Sequence, residues 1–390
     1  MRIKLSDAFE LQMGKTPSRN ELSYWGGSNK WVSISDIGNA NKYIYDTKEG
    51  ITDEGVENSG IRLVPKGTVI MSFKLSIGKT AITSEDMYTN EAIMAFLDKG
   101  VHNIDTDYLY HLLSNTQWLE GTNKAVMGLT LNKATLSQHI INVPSIDEQR
   151  HVAKMLDSID NLINLRRTEL TKLDELVKAR FVEMFGDLAD PACKWEKCRL
   201  VDACVNSDDI KCGPFGTQLG KEEYTEEGVA VWEIPQINSE FKTFPTHFVT
   251  EKKAKELEAY SIIPGDIAMS RKGNVGRCAV FPSTLEIGII HSDVLRIRLD
   301  ETKAFPEFMM RQLHYSGDIQ HQIELVSSGA IMAGINVTKL KQIFVYLPPI
   351  NLQDEFVATV AQVDKSKDAV QRGLDKLETL KKALMQEYFG

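Results

Sequence analysis

A patterned segment in the middle of the chain returns near its end. Leu136-x3-Ile140-x3-Pro144-x-Ile146-x2-Gln149 comes back as Leu340-x3-Phe344-x3-Pro348-x-Ile350-x2-Gln353, and the preceding Asn132 answers to Asn336. Earlier in each half, Gly67-x-Val69-x-Met71-Ser72 matches Gly265-x-Ile267-x-Met269-Ser270, and Gly78-Lys79-x-Ala81-Ile82 matches Gly276-Arg277-x-Ala279-Val280. Val32-x-Ile34-x2-Ile37 parallels Trp232-x-Ile234-x2-Ile237, and each half closes alike, on Met184-Phe185-Gly186 and Tyr388-Phe389-Gly390. Matches in one order, with little drift about a period near 200 residues, mark a duplicated unit. At 390 residues two cores are also what size alone predicts.

Each half reads as a mixed globular domain followed by a long helix. Short β-rich runs punctuated by Gly, Asn and Asp predict strands over 31–37, 67–73, 79–83 and 91–97. The second half predicts them over 230–236, 262–269, 277–281 and 291–299. Apolar spacing predicts short helices over 107–119 and 306–313. After Asp147 the turn residues vanish. Val152, Met155, Ile159, Leu162, Leu170, Leu173, Val177 and Phe181 then recur at three- and four-residue steps or their multiples. Phe356, Val360, Val363, Val370, Leu374, Leu377, Leu384 and Tyr388 repeat the rule, with Lys367 where an apolar residue would be expected. Such stripes are seams along which one helix packs on another. Asp147 and Asn351 are placed to cap the two helices.

At 1.5 Å per residue each helix spans roughly 50–60 Å, too long to be stable in water without a partner face. The fold class predicted is α+β: two pseudo-symmetric domains joined by two long helices packed as an antiparallel coiled coil. The boundaries read as domain 1 over 1–147, helix 1 over 148–185, a linker over 186–195, domain 2 over 196–351 and helix 2 over 352–390. Antiparallel packing would put the two globules at opposite ends, related by an approximate two-fold axis.

Chemistry is conspicuous mainly by what the motifs lack. Adenine methyl transfer needs an (Asp/Asn)-Pro-Pro-aromatic loop to hold the flipped base. The Pro-Pro here, Leu347-Pro348-Pro349-Ile350, is flanked by apolar residues and reads as a rigid helix entry. No Gly-x4-Gly-Lys-Ser/Thr loop is present, and Gly265 with Gly273-Asn274-Val275-Gly276-Arg277 reads as turn glycines. No Gly-x-Ser-x-Gly elbow occurs. The histidines stand apart from ligand spacings, and Asp53-Glu54 and Asp208-Asp209 read as solvated turns. No catalytic residue, metal site or cofactor is therefore expected. The five cysteines, Cys193, Cys198, Cys204, Cys212 and Cys278, match no zinc spacing and suit reduced thiols. No apolar stretch approaches a membrane span, and the start Met1-Arg2-Ile3-Lys4-Leu5 lacks a signal core. The expected location is cytoplasmic.

Two like domains on a fixed spacer suit the reading of two short blocks on one DNA duplex. The halves agree in framework and differ in loops, as two different base sequences would require. Candidate DNA-binding residues are the polar and basic ones in glycine-containing loops. In half one they are Lys15, Thr16 and Ser18 after Gly14, then Lys74 before Gly78, Lys79, Asn123 and Lys124. In half two they are Thr217 and Gln218 after Gly216, then Arg271, Lys272, Asn274, Arg277 and Ser328. Lys and Arg reach phosphate or guanine; Asn and Gln pair with adenine. The matched pair Lys79 and Arg277 reads equally as phosphate clamps. A net charge of −9 runs against nucleic-acid binding and calls for help from a partner. The competing reading is a coiled-coil scaffold with two protein-binding heads.

Asn142-Val143-Pro144-Ser145-Ile146-Asp147-Glu148-Gln149 and Tyr346-Leu347-Pro348-Pro349-Ile350-Asn351-Leu352-Gln353 each lead into a long helix ending at Phe-Gly. With these blocks the whole chain resembles the specificity subunit of type I restriction-modification systems. The family's Pro-x-Pro-Pro-Leu-x-Glu-Gln pattern is partly kept, with Ser145 in place of its second proline and Leu352 in place of its glutamate. The resemblance implies two target-recognition domains, each reading part of a split site on double-stranded DNA, with helix length setting the gap. It also implies two modification (methyltransferase) subunits docked on the helices, and restriction subunits in the full complex. The chain itself would be non-catalytic.

Overall fold

The computed structural model describes residues 1–74, 76–118, 131–188, 190, 193–327 and 334–390. Two compact units emerge: Met1–Thr168 with Gln371–Gly390, and Glu169–Val370. Each long helix contributes one stretch to each unit.

Unit 1 contains β1 (Arg2–Lys4), β2 (Phe9–Met13), β3 (Trp25–Val32), β4 (Tyr43–Ile44), β5 (Glu49–Ile51), β6 (Val69–Ser72), β7 (Thr80–Thr83), β8 (Tyr88–Thr89), β9 (Ile93–Asp98) and β10 (Ile140–Asn142). They form a five-stranded sheet ordered β2-β9-β6-β7-β4, a three-stranded sheet β5-β3-β8 and the pair β1-β10. Successive residues of a strand face opposite ways, and β6 and β9 use both faces. Val69, Met71, Met94 and Phe96 enter a core with the helix Thr106–Asn115 and with Val152 and Leu156 of the first long helix. Ile70, Ile93 and Ala95 enter a second core with Val32 and Ile37. The central sheet is thus a middle layer between helices and the smaller sheet.

Unit 2 repeats the plan with β11 (Glu196–Arg199), β12 (Ile210–Cys212), β13 (Val229–Trp232), β14 (His247–Val249), β15 (Ser261–Ile262), β16 (Ile267–Ser270), β17 (Cys278–Val280), β18 (Gly288–Ile290), β19 (Val294–Ile297) and β20 (Phe344–Leu347). Its sheets run β12-β19-β16-β17, β14-β13-β18-β15 and β11-β20. Parallel β3-β8 answers to parallel β13-β18, and antiparallel β6-β9 to β16-β19. The copies differ at sheet margins: among the described residues β4 has no counterpart strand, and the β15–β18 pair is reduced in unit 1 to the single bridge Val64–Met87. In both, the first strand pairs with the strand that leads into a long helix. The Leu5 N–H donates to the His139 carbonyl at 2.9 Å and the Leu200 N–H to that of Ile343 at 2.8 Å.

Local chemistry shortens several predicted runs. The strand expected over 31–37 stops at Val32, because the Ser33 hydroxyl and Asp36 carboxylate close a capping box on the helix Ile34–Asn39. Over 230–236 the strand stops at Trp232, and Pro235 sits in the first turn of the helix Ile234–Asn238. The run 262–269 is two strands, parted by a turn at Pro264-Gly265 in which Gly265 takes φ +90°. The helix Gly317–Ser327 was not foreseen; it buries Ile319 and Ile323 at a four-residue spacing.

The long helices run Ile146–Phe185 and Ile350–Phe389. Asp147 and Asn351 therefore lie inside the first turns rather than capping them. The cap in copy one is Ser145, whose hydroxyl accepts the Glu148 N–H at 3.4 Å. In unit 1, Leu384, Met385, Tyr388 and Phe389 pack against the core that holds Val152, Ala153 and Leu156. Lys381 pairs there with Asp160 at 2.5 Å, and Arg167 with Glu378 at 2.7 Å. In unit 2, Val177, Phe181 and Phe185 share a core with Phe356, Val360 and Val363, flanked by Lys367–Asp174 at 2.6 Å and Arg180–Glu355 at 2.8 Å. Within each unit, ascending residues of one helix meet descending residues of the other, so the packing is antiparallel. Lys367, the apparent gap in the seam, is filled by its ion pair. Leu162 is a correction: it is exposed, and Leu156 and Ile163 are buried alongside the expected Ile159. Near 3.6 residues per turn the stripe drifts off the strict heptad positions.

Candidate nucleic-acid interface

Four chain segments converge at one edge of unit 1, around the turn Asn90–Ala92. The Gly14 N–H donates to Ile93, Lys15 to Thr89, Asn90 to Val32 and Phe73 to Ala92, at 2.8 to 3.1 Å. Unit 2 repeats this around His291–Asp293, with Gly213 donating to Val294, His291 to Trp232 and Arg271 to Asp293 at 2.9 to 3.1 Å. The hairpin loops between β6–β7 and β16–β17 also match. Ser72 and Ser270 donate to the carbonyls of Lys79 and Arg277, both at 2.8 Å, and Gly78 and Gly276 donate back to the serine carbonyls. Gly78 and Gly276 take φ of +87° and +86°, which only glycine adopts freely. The framework of the edge is therefore one design used twice, and the side chains on it differ.

In unit 1, Lys15 and Thr16 follow Gly14 and Lys74 follows Phe73 in segments that meet the turn Asn90–Ala92, and Ser18 lies further along the first of them. Thr16 donates its hydroxyl hydrogen bond to the Glu91 carboxylate. Lys15 is exposed, and the carbonyls of Lys15 and Ser18 accept the indole N–H groups of Trp31 and Trp25, both at 3.1 Å. Lys74 Nζ lies 5.3 Å from the centre of the Phe73 ring. In unit 2 the counterparts are Arg271, Lys272, Asn274, Thr217 and Gln218. Lys272 pairs with Asp293 at 2.8 Å. Thr217 and Asn274 are exposed, and Gln218 Oε1 accepts the Tyr260 hydroxyl at 2.9 Å. Arg271 folds back, its Nη1 donating to the Ser292 carbonyl at 3.2 Å.

Lys79 and Arg277 leave the hairpin on its other arm. Lys79 Nζ lies against Gly38, and Arg277 pairs with Glu240 at 3.2 Å. Asn123, Lys124 and Ser328 lie outside the described residues. Among the described residues no cluster of three His, Cys, Asp or Glu side chains could hold a metal, and no disulfide forms. Nor is any helix among them long and apolar enough to cross a membrane.

One residue at the edge escaped the sequence reading. The Arg19 guanidinium sits 3.6 Å over the Trp25 ring and 5.1 Å from that of Trp31, and it binds Glu49 through two nitrogens at 2.6 and 3.0 Å. That pair holds the Glu49 carboxyl below its ordinary range, chiefly through the Arg19 hydrogen bond and against partial burial. Unit 2 has a looser analogue in Arg271, 5.5 Å from the exposed Phe215 ring. Both present a planar cation on an aromatic face, which fixes its orientation. A basic residue a few positions before Trp25-Gly26-Gly27 was the signal available.

Residues 1–175 match the type I restriction modification DNA specificity domain. Over 189 residues the chain is 30% identical to the MjaIX specificity subunit of Methanocaldococcus jannaschii, covering 47% of this chain and 43% of that protein. It is 28% identical over 184 residues to the EcoR124I/EcoR124II specificity subunit of Escherichia coli, covering 45% and 44%. The matched segments thus span less than half the length of these two relatives. A longer match, 23% identical over 324 residues, covers 79% of this chain and 73% of the putative MjaX specificity subunit of M. jannaschii. Among solved structures, a chain from a study of type I R-M assembly and conformational transition superposes with a TM-score of 0.62 at 19% identity, covering 100% of this chain and 97% of that one. The type I S subunit from M. genitalium gives 0.58 at 16% identity, covering 100% and 96%. At such identities the superpositions speak for the fold. By sequence, the matched segments are homologous to specificity subunits of type I restriction-modification systems, and the whole chain shares the fold of the solved structures.

Proposed function

We propose that this protein recognises a bipartite site on double-stranded DNA, as the non-catalytic specificity subunit of a type I restriction-modification complex in the cytoplasm. Each unit reads one block through the edge at Asn90–Ala92 or His291–Asp293. Two modification subunits, joined by restriction subunits in the full complex, supply the chemistry. The observation that carries the reading is the duplicated edge: matching backbone hydrogen bonds beneath unlike side chains. A binding scaffold has no need to keep a framework constant while varying only its loops, whereas reading two base sequences does. Partner surfaces also offset the acidic balance of the chain, since phosphate neutralisation need not come from this subunit alone.

The test is a head exchange. Residues 1–147 are replaced by the same segment of a relative with a known site, and the methylated sequence is mapped in cells that carry the modification subunits. The expected result is a change in one block only. A change in both blocks, or in neither, would rule the modular reading out.

A further inference from the structure

Gln149 and Gln353, the last residues of the repeated block, are both 0% exposed in the first turns of the long helices. A buried primary amide is costly unless its acceptor and donors are all engaged. Gln149 Oε1 accepts the Asp105 N–H at 2.9 Å, and Nε2 donates to the carbonyls of Asn103 at 3.1 Å and Pro144 at 3.0 Å. Gln353 Oε1 accepts the Phe305 N–H at 3.1 Å, and Nε2 donates to the carbonyls of Lys303 at 3.0 Å and Pro348 at 2.8 Å. The two amides make the same three bonds to equivalent backbone groups.

Those groups belong to two places in each unit. One is the segment entering the long helix. The other is the loop that starts the head's own buried helix, Thr106–Asn115 or Pro306–Tyr315. The amide therefore ties the head to the helix through main-chain atoms, whatever side chains the head carries. Three directional bonds constrain rotation as well as distance, which apolar packing of equal volume does not.

Further along each helix the heads are attached by charge, and there the copies diverge. In unit 1, Lys42 bridges Asp157 at 2.6 Å and Asp107 at 2.8 Å, and His111 Nε2 meets Asp157 at 2.8 Å. In unit 2, Arg311 stands 4.0 Å from Asp364, beside Arg277–Glu240. The glutamine clamp is a polar attachment that both heads share, beside the strand pairs and apolar cores they also have in common.

We propose that Gln149 and Gln353 are positioning residues that fix the angle of each head on its helix, and through it the spacing accepted between the two DNA blocks. The proposal rests on the DNA-recognition reading above. One base pair of added spacer displaces a block by about 3.4 Å and turns it by about 34°, so a rigid attachment discriminates single base pairs and a loosened one does not.

The experiment selects duplexes from a library with two randomised blocks and spacers differing by single base pairs. It uses the full chain assembled with its modification subunits, as wild type, Q149L, Q353L and the double variant, with thermal melts alongside. The wild type is expected to prefer one spacer. The variants are expected to bind neighbouring spacers within about threefold of the best, with block sequences unchanged. Where a leucine variant does not fold, Q149E or Q353E takes its place; each keeps the acceptor but turns a carboxylate on two carbonyls. A folded variant with spacer preference as sharp as wild type overturns the proposal, even if its melting temperature falls. A wild type that selects no block sequence at any spacer overturns the DNA reading and this inference with it.

Discussion

Arg19 shows how one side chain acquires a direction. Stacked on Trp25 and forked onto Glu49, its guanidinium is held in one orientation, and under the proposed DNA-recognition reading preorganisation of that kind would lower the cost of binding. Arg19→Ala is expected to weaken selection at the first block by about 1–3 kcal/mol while the second is read normally, which binding to duplexes mutated in one block at a time would measure. Arg19→Lys should not restore it, because a lysine has no planar fork. His314 makes a different prediction. Burial, with Arg277 and Arg311 nearby, pushes its pKa down to about 4, and its Nε2 accepts the Cys278 N–H at 3.3 Å, a role open only to the neutral ring. Below pH 6.5 the unfolded ring takes a proton that the folded ring refuses, so unit 2 loses stability as pH falls from 6.5 towards 4. His314→Gln should flatten that slope in urea melts at pH 7 and pH 5. An unchanged slope would remove His314 as its cause.

Among elements, the repeated asparagines explain their own recurrence. Asn132 Oδ1 accepts the Thr135 N–H at 2.9 Å and Asn336 Oδ1 the Lys339 N–H at 2.9 Å, each starting the short helix that leads to the last strand of its unit. Asn336→Ala should cost about 1 kcal/mol by chemical denaturation. The helix seam is held more strongly. Phe356 is fully buried, 5.5 Å from the ring centres of both Phe181 and Phe185, so Phe356→Ala should cost about 3–5 kcal/mol. The apolar stripes were legible because burial repeats at the helical period. Which member of a stripe faces inward was not, as exposed Leu162 beside buried Ile163 shows. Likewise the strand runs at 31–37 and 230–236 were right in their first residues and wrong in their last, since capping chemistry overrode β propensity.

For the whole molecule, the prediction concerns length. Seven residues inserted after Thr168, with seven after Val370, preserve a 3.5-residue seam in both helices and add about 10.5 Å, the rise of about three base pairs. Methylome mapping should then find the same two blocks with a gap about three base pairs longer. The duplication, the order of globule and helix, and the antiparallel seam were all determined by the sequence, because repeats and periodic burial are local patterns that survive in one dimension. Tertiary structure alone decided what those patterns serve. Gln149 was no more than the end of a repeated block until Asn103 and Asp105 closed around its amide, and Arg19 was not singled out until Trp25 came beneath it. Hydrogen bonds and ring contacts between residues far apart in the chain depend on where the fold returns the backbone, and no spacing along the sequence encodes that.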